Sequence, residues 1–185
     1  MNDDVPTGRL RDIPHRRWKD YPKPGVDYPD SAIMTCEPED ATHVVSELAA
    51  ALPAEADLLA GIDIGGLGFA GALACTRGIG FIDIRKVAAL RPEVVGSILS
   101  NYDLGFGVAI SKGNRLAGRT AIVIDDCLIS GTTAVAAVQL LRHLGARCDH
   151  ALFVFEIDGM SGRERLRQAG VATTALRTVP PREPA

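Results

Sequence analysis

The chain has 185 residues, 46% hydrophobic and 23% charged, the proportions of an ordinary globular protein long enough to bury a substantial core in one domain. Its net charge of −3 argues against nucleic acid or an anionic membrane as the main partner, because both call for a basic surface. No run approaches the roughly 18 apolar residues of a membrane span, the start MNDDVPTGRLR lacks the apolar stretch of a signal peptide, and Cys36, Cys75, Cys127 and Cys148 form no C-x-x-C pair. A cytoplasmic protein with reduced thiols and no zinc or redox motif is therefore expected.

Residues 1–13 are polar and without periodicity and read as a loose arm. The chain divides on this basis into a flexible arm over 1–20, a domain over 21–179 and a frayed tail over 180–185. Arg9, Arg11, Arg16, Arg17, Lys19 and Lys23 form a basic cluster whose ordinary explanation is a solvated face. Pro22, Pro24, Gly25 and Pro29 make 21–30 a rigid, turn-rich loop rather than a strand. A helix follows over 38–52, opened by Pro38 with Glu39 and Asp40 in its first turn and closed by Pro53. Residues 58–64 read as a strand, and the glycine run 65–71 leads into a helix ending near Arg77. Gly66, Gly68 and Gly71 match the G-x-G-x-x-G spacing of a dinucleotide-binding turn, with Asp83 ending the next strand, so a dinucleotide binder is one alternative.

Residues 80–84 read as a strand ending in Arg85 and Lys86, two cations suited to a diphosphate or simply solvated beyond the strand. Over 87–119 no helix is evident, but 97–104 and 106–111 have the composition of a β-hairpin about Gly105. The most informative stretch is 121–135, AIVIDDCLISGTTAV. Its apolar, β-branched start is a buried strand ending in Asp125 and Asp126, where open α/β sheets bind ligands and where carboxylates accept hydrogen bonds from paired sugar hydroxyls. Ile129, Ser130, Gly131, Thr132 and Thr133 then form a turn into a helix over 134–144, whose backbone N–H groups, dipole and hydroxyls favour an anion. The turn lacks the Lys of a nucleoside-triphosphatase loop, which leaves a monophosphate as the better guest. A strand over 151–157, a charged helix over 161–169 with Ser161 and Glu164 as a capping pair, and a strand over 171–176 complete an alternating α/β pattern, which implies a single domain with a mainly parallel twisted sheet flanked by helices.

The 121–135 stretch resembles the 5-phosphoribosyl 1-diphosphate (PRPP) motif of type I phosphoribosyltransferases. YPKPGV at 21–26, FIDIRK at 81–86 and GRERLRQAG at 162–170 are similar, in order and spacing, to the adenine phosphoribosyltransferases. The resemblance implies transfer of the 5-phosphoribosyl group of PRPP to a nitrogen of a purine-like or other heterocyclic base with release of diphosphate. It assigns the 5-phosphate to Ile129–Thr133, the ribose hydroxyls to Asp125 and Asp126, and the diphosphate to Asp63, Ile64, Gly65 and Gly66 with Arg85 and Lys86. It places a hood over the base, with Val26 and Tyr28, and a flexible catalytic loop within 87–119. Mg²⁺, held largely by substrate and water rather than by a dedicated set of protein ligands, is the expected metal, and a homodimer the expected assembly. The alternative within this resemblance is a PRPP or nucleotide sensor without turnover. The chain departs from the adenine enzymes at three positions: Gly105 and Phe106 stand where the hood loop has an acid and a Tyr, Pro29 where the hood has an Arg, and Gly65 where the diphosphate loop has an Arg. Asp103 and Glu93 are the nearby acids that stand in reserve.

Overall fold

A computed structural model of the chain describes residues 12–87, 94–98 and 107–182. An antiparallel ribbon, β1 (Arg16–Trp18) with β2 (Tyr28–Asp30), is followed by helices α1 (Ala32–Cys36) and α2 (Pro38–Ala51). Then come β3 (Leu58–Ile62), α3 (Gly65–Arg77), β4 (Gly80–Val87), β5 (Val94–Ile98), β6 (Gly107–Ser111), β7 (Thr120–Leu128), α4 (Thr132–His143), β8 (Arg147–Ile157), α5 (Gly162–Gln168) and β9 (Ala172–Val179). β3 to β9 form one seven-stranded sheet in the order β5-β6-β4-β3-β7-β8-β9. β4, β3, β7, β8 and β9 run parallel, while β6 pairs antiparallel to β4 and to β5. An antiparallel pair is present as β5 and β6, but β5 lies earlier than the expected arm over 97–104 and shares only residues 97 and 98 with it; the connection over 99–106, with Gly105, lies outside the described residues.

Alternation along the strands builds a core on each face of the sheet. Leu58, Ala60 and Ile62 pack with Ala121, Val123 and Phe153 beneath α4 and α5. Leu59 packs with Ile122, Ile124, Leu152 and Phe155 beneath α2 and α3. Each large side chain that is fully buried this way contributes roughly 1.5–3 kcal/mol. Because both faces are covered, β3 and β7 are apolar nearly throughout rather than alternating with polar residues.

The amino-terminal region is more structured than its composition suggests. Ile13 is buried and Arg16–Trp18 forms a strand, so the loose arm does not extend to residue 20, and residues 1–11 lie outside the described part. Residues 21–30 are likewise not all loop: Tyr28–Asp30 pairs with β1, and Pro29 is tolerated because a two-strand ribbon leaves its nitrogen side unpaired. Arg16 binds Asp30 at 2.8 Å, the Asp27 N–H donates to the Pro181 carbonyl at 2.7 Å, and Arg17 donates to the Pro180 carbonyl. The start of the supposed tail therefore straps the ribbon to the sheet. Ser161 precedes α5 without capping it through its side chain, and Glu164 is bound to Arg167 and Gln168, so the expected capping pair does not form.

Candidate active site

The sheet reverses its winding between β3 and β7: α3 leads from β3 outward to β4, whereas α4 and α5 carry the chain the other way through β8 to β9. A crevice opens at the carboxyl ends of such a pair. Here the last β3–β7 partners are Gly61 and Ile124, after which β3 turns into α3 while β7 stays with β8 as far as Leu128. Asp125 and Asp126 are the first residues beyond that parting. The cleft there measures ≈1900 Å³ and is lined by both aspartates, by Asp63, Ile64 and Gly65, by Ile129 to Thr133, by Lys86, and by Trp18, Tyr21 and Tyr28 from the ribbon.

Adjacent strand residues face opposite sides, so the two aspartates differ in surroundings. Asp126 lies on the Ile122 and Ile124 side, is buried, and accepts the Tyr28 hydroxyl at Oδ2. Burial and then the charge of Asp126 raise the Tyr28 pKa far above the phenol range, so this hydroxyl remains a donor. Asp125 lies on the other side, and its Oδ1 accepts the Asp126 N–H at 3.0 Å. Burial, reinforced by the charge of Asp126 and opposed by Lys86, pushes the Asp125 carboxyl well above the usual carboxylate range. Burial, followed by the same two aspartates, also raises the Cys127 thiol and leaves it protonated and unreactive.

Two helix N-termini meet at this crevice. α3 begins at Gly65, directly after the cis Asp63–Ile64 peptide. A Cβ on Gly65 would come within 2.2–2.4 Å of the Asp126 carboxylate, so glycine is required for that carboxylate to sit where it does. Gly66 performs a different task from the one expected. A Cβ there would come within 2.2 Å of the Ile124 carbonyl oxygen, and Gly66 is buried against β7 rather than lining the cleft. α4 begins at Thr132 after Gly131, whose φ of 72° is the left-handed conformation that suits glycine. Thr132 and Thr133 are thus in the first helical turn, two residues earlier than periodicity suggested, and Ser130 Oγ lies 3.2 Å from Thr132 Oγ1.

Two other expected site residues are elsewhere. β4 continues to Val87, paired with β6, so Arg85 and Lys86 are consecutive residues within a strand and face opposite ways. Lys86 lines the cleft, whereas Arg85 binds Asp83, which lines a separate depression with Phe81, Ser111 and Asn114. The Val26 side chain is 2% exposed and belongs to the core. Tyr28 does reach the cleft, its ring 5.5 Å from Tyr21 and 5.9 Å from Trp18. One residue that sequence reasoning passed over also lines the cleft: Arg165 of α5, which donates to Thr132 Oγ1. Gly105, Phe106, Asp103 and Glu93 lie outside the described residues.

Among the described residues no group of three or more His, Cys, Asp and Glu is placed to hold a metal ion. The cleft nevertheless offers the hard carboxylate oxygens of Asp125 and Asp126, which suit a Mg²⁺ that arrives with a diphosphate and keeps most of its ligands from substrate and water. No helix among the described residues is long and apolar enough to cross a membrane.

The phosphoribosyl transferase domain model matches residues 38–173, most of the chain and all of the crevice except the part lined by the ribbon and α1. The chain belongs to this phosphoribosyltransferase family. It is 34% identical over 165 residues to the adenine phosphoribosyltransferase of Erythrobacter litoralis, covering 87% of this chain and 91% of that one. It is 35% identical over 174 residues to that of Mycolicibacterium vanbaalenii, covering 92% and 95%. The adenine phosphoribosyltransferase structure from Thermoanaerobacter pseudethanolicus superposes with a TM-score of 0.80 at 27% identity, covering 89% of this chain and 95% of that one. The mainly parallel α/β architecture is that of the type I members. Family membership displaces the dinucleotide reading, and the structure supplies the reason: Gly66, Gly68 and Gly71 lie within α3 rather than in a turn before it. It also disfavours a sensor without turnover.

Proposed function

We propose that this phosphoribosyltransferase moves the 5-phosphoribosyl group of PRPP to a ring nitrogen of a purine base, releasing diphosphate and forming a nucleoside monophosphate, as in purine salvage. The observation that carries this reading is the meeting of two helix N-termini and two aspartates in one crevice, since PRPP presents a monophosphate, a diol and a diphosphate together. The Ile129–Thr133 turn holds the 5-phosphate at the start of α4. Asp125 and Asp126 accept the ribose hydroxyls. The Asp63–Gly65 backbone at the start of α3, with Lys86, holds the diphosphate. Tyr28 and its aromatic neighbours bound the base side. As the bond from C1 to the diphosphate oxygen breaks and the bond to the base nitrogen forms, positive charge grows on the ribose ring. The two carboxylates face that charge. Mg²⁺ on the diphosphate oxygens would offset the charge of the leaving group. The reading is tested by measuring diphosphate release from PRPP with a panel of purines. Release with at least one is expected, and binding without release would overturn it.

The wall between α3 and β7 gives a sharper check. Gly65→Ala puts a methyl group against the Asp126 carboxylate, and a displacement on the order of 1 Å near reacting groups costs about 100-fold in turnover. Overpacking costs about 1–3 kcal/mol, so the melting temperature falls by several degrees as well. Unchanged turnover in this variant would mean that Asp126 is not held for catalysis.

We also propose a cytoplasmic homodimer. All four cysteines are free, as a reducing compartment requires. Phe81, 49% exposed, lies in a segment open to a second subunit. Light scattering at micromolar concentration should give twice the chain mass, and a monomer there would contradict the dimer.

A further inference from the structure

A monophosphate at the Ile129–Thr133 turn brings close to two negative charges into a site that already holds Asp125 and Asp126. A helix N-terminus offers only about half a positive charge, and the turn contains no Lys or Arg. Among the described residues the cations lining the cleft are Lys23, Lys86 and Arg165. Lys23 belongs to the ribbon, and Lys86 lies on β4, where its charge acts on Asp125. Arg165 is the one that touches the turn, through Thr132.

Its placement is built into the fold. Gly131 and Gly162 pack back to back: a Cβ on Gly131 would come within 2.8 Å of the Gly162 carbonyl, and one on Gly162 within 2.4 Å of the Ile129 carbonyl. The first turn of α5 is thereby pinned against the phosphate turn, and Arg165, three residues on, reaches across it. Its neighbours on the helix are committed elsewhere, Arg163 to Glu156 at 3.0 Å and Arg167 to Glu164 at 2.7 Å. Arg165 has no carboxylate partner among the described residues.

We propose that Arg165 is a ligand of the 5-phosphate, donating guanidinium N–H groups to its oxygens, and that it makes the site selective for 5-phosphorylated sugars. This rests on the proposed phosphoribosyl transfer. Charge-assisted hydrogen bonds from a planar fork suit a phosphoryl group better than the point charge of Lys.

The test compares the full chain with Arg165→Gln and Arg165→Lys, all three first shown to melt alike, as expected for an exposed side chain. Calorimetry with PRPP, ribose 5-phosphate and inorganic diphosphate is the readout. Arg165→Gln should weaken PRPP and ribose 5-phosphate about 10- to 100-fold while leaving diphosphate unchanged, with Arg165→Lys in between. Equal affinity of parent and Gln variant for ribose 5-phosphate would overturn the assignment, and so would an equal loss for diphosphate, which would indicate a general effect on the cleft. Failure of the parent chain itself to bind PRPP is a distinct result. It would remove the proposed function, and this inference with it.

Discussion

Replacing Asp125 and Asp126 together by asparagine is expected to abolish measurable PRPP binding while leaving the fold at least as stable as before. The loss follows from charge. Hydrogen bonds to ionised groups are worth about 1.5–3 kcal/mol each, so two of them removed from the ribose diol amount to roughly 10²- to 10⁴-fold in affinity. Retention of the fold follows from the surroundings of the two carboxyls. The Asp125 carboxyl is held above its ordinary range by burial first and by Asp126 second, so the folded protein binds its proton more tightly than the unfolded chain does. For an acid with a raised folded-state pKa, stability is full below the unfolded value, near 4, and declines as pH rises from there through the folded value. At neutral pH the parent therefore carries a penalty that a neutral amide lacks. In Asp126→Asn the side-chain amide keeps an oxygen able to accept the Tyr28 hydroxyl in place of the carboxylate. The double variant should melt no lower than the parent at pH 7.5, with any advantage disappearing below about pH 4. Calorimetry showing PRPP bound as well as by the parent would disprove the central assignment, and a large drop in melting temperature would show that the aspartates are structural.

Adenine is expected to be a poor acceptor, with an efficiency below ~10⁴ M⁻¹s⁻¹, the low end for ordinary enzymes. Gly105 stands where the adenine enzymes place an acid to handle the proton of the base, and glycine cannot exchange one. Help of that kind is typically worth about 10²- to 10⁴-fold. Pro29, which replaces an Arg, has no N–H to offer a purine nitrogen, and its pairing opposite Arg17 in the ribbon fixes it there. The third departure, Gly65, has a separate explanation in the space taken by Asp126, so it bears on the diphosphate side rather than on the base. Product formation across adenine, other purines and related heterocycles decides the matter. An adenine efficiency at or above ~10⁴ M⁻¹s⁻¹ would sink the idea, whereas a second purine used faster would identify the acceptor class this hood prefers.

The alternation of strands and helices, the buried strand ending in two aspartates and the glycine and hydroxyl turn that follows it were all legible in the chain itself. Each is a local signal: the apolar run of β7, the acids at its end and the glycine and hydroxyl turn follow one another within fifteen residues, and neighbours along the chain are necessarily neighbours in space. The sequence by itself therefore determined the fold class and the family, and it marked the aspartates and the turn that stand together at the end of β7. Tertiary structure decided what depends on partners far along the chain. Arg85 and Lys86 part company because β6, more than twenty residues later, extends β4 past its apolar segment. β1 and β2 are three-residue strands too short to show a period, and what orders them is long-range: their pairing with each other, the straps to Pro180 and Pro181 and the bond from Tyr28 to Asp126. Tyr28 finds Asp126 across 98 residues, and Arg165 finds Thr132 across 33. Nothing in GRERLRQ distinguishes its second arginine from the first and third. The distinction arises when packing of Gly131 on Gly162 sets that helix against the phosphate turn, because a side chain's electrostatic role is defined by the charges around it and those are assembled only by the fold.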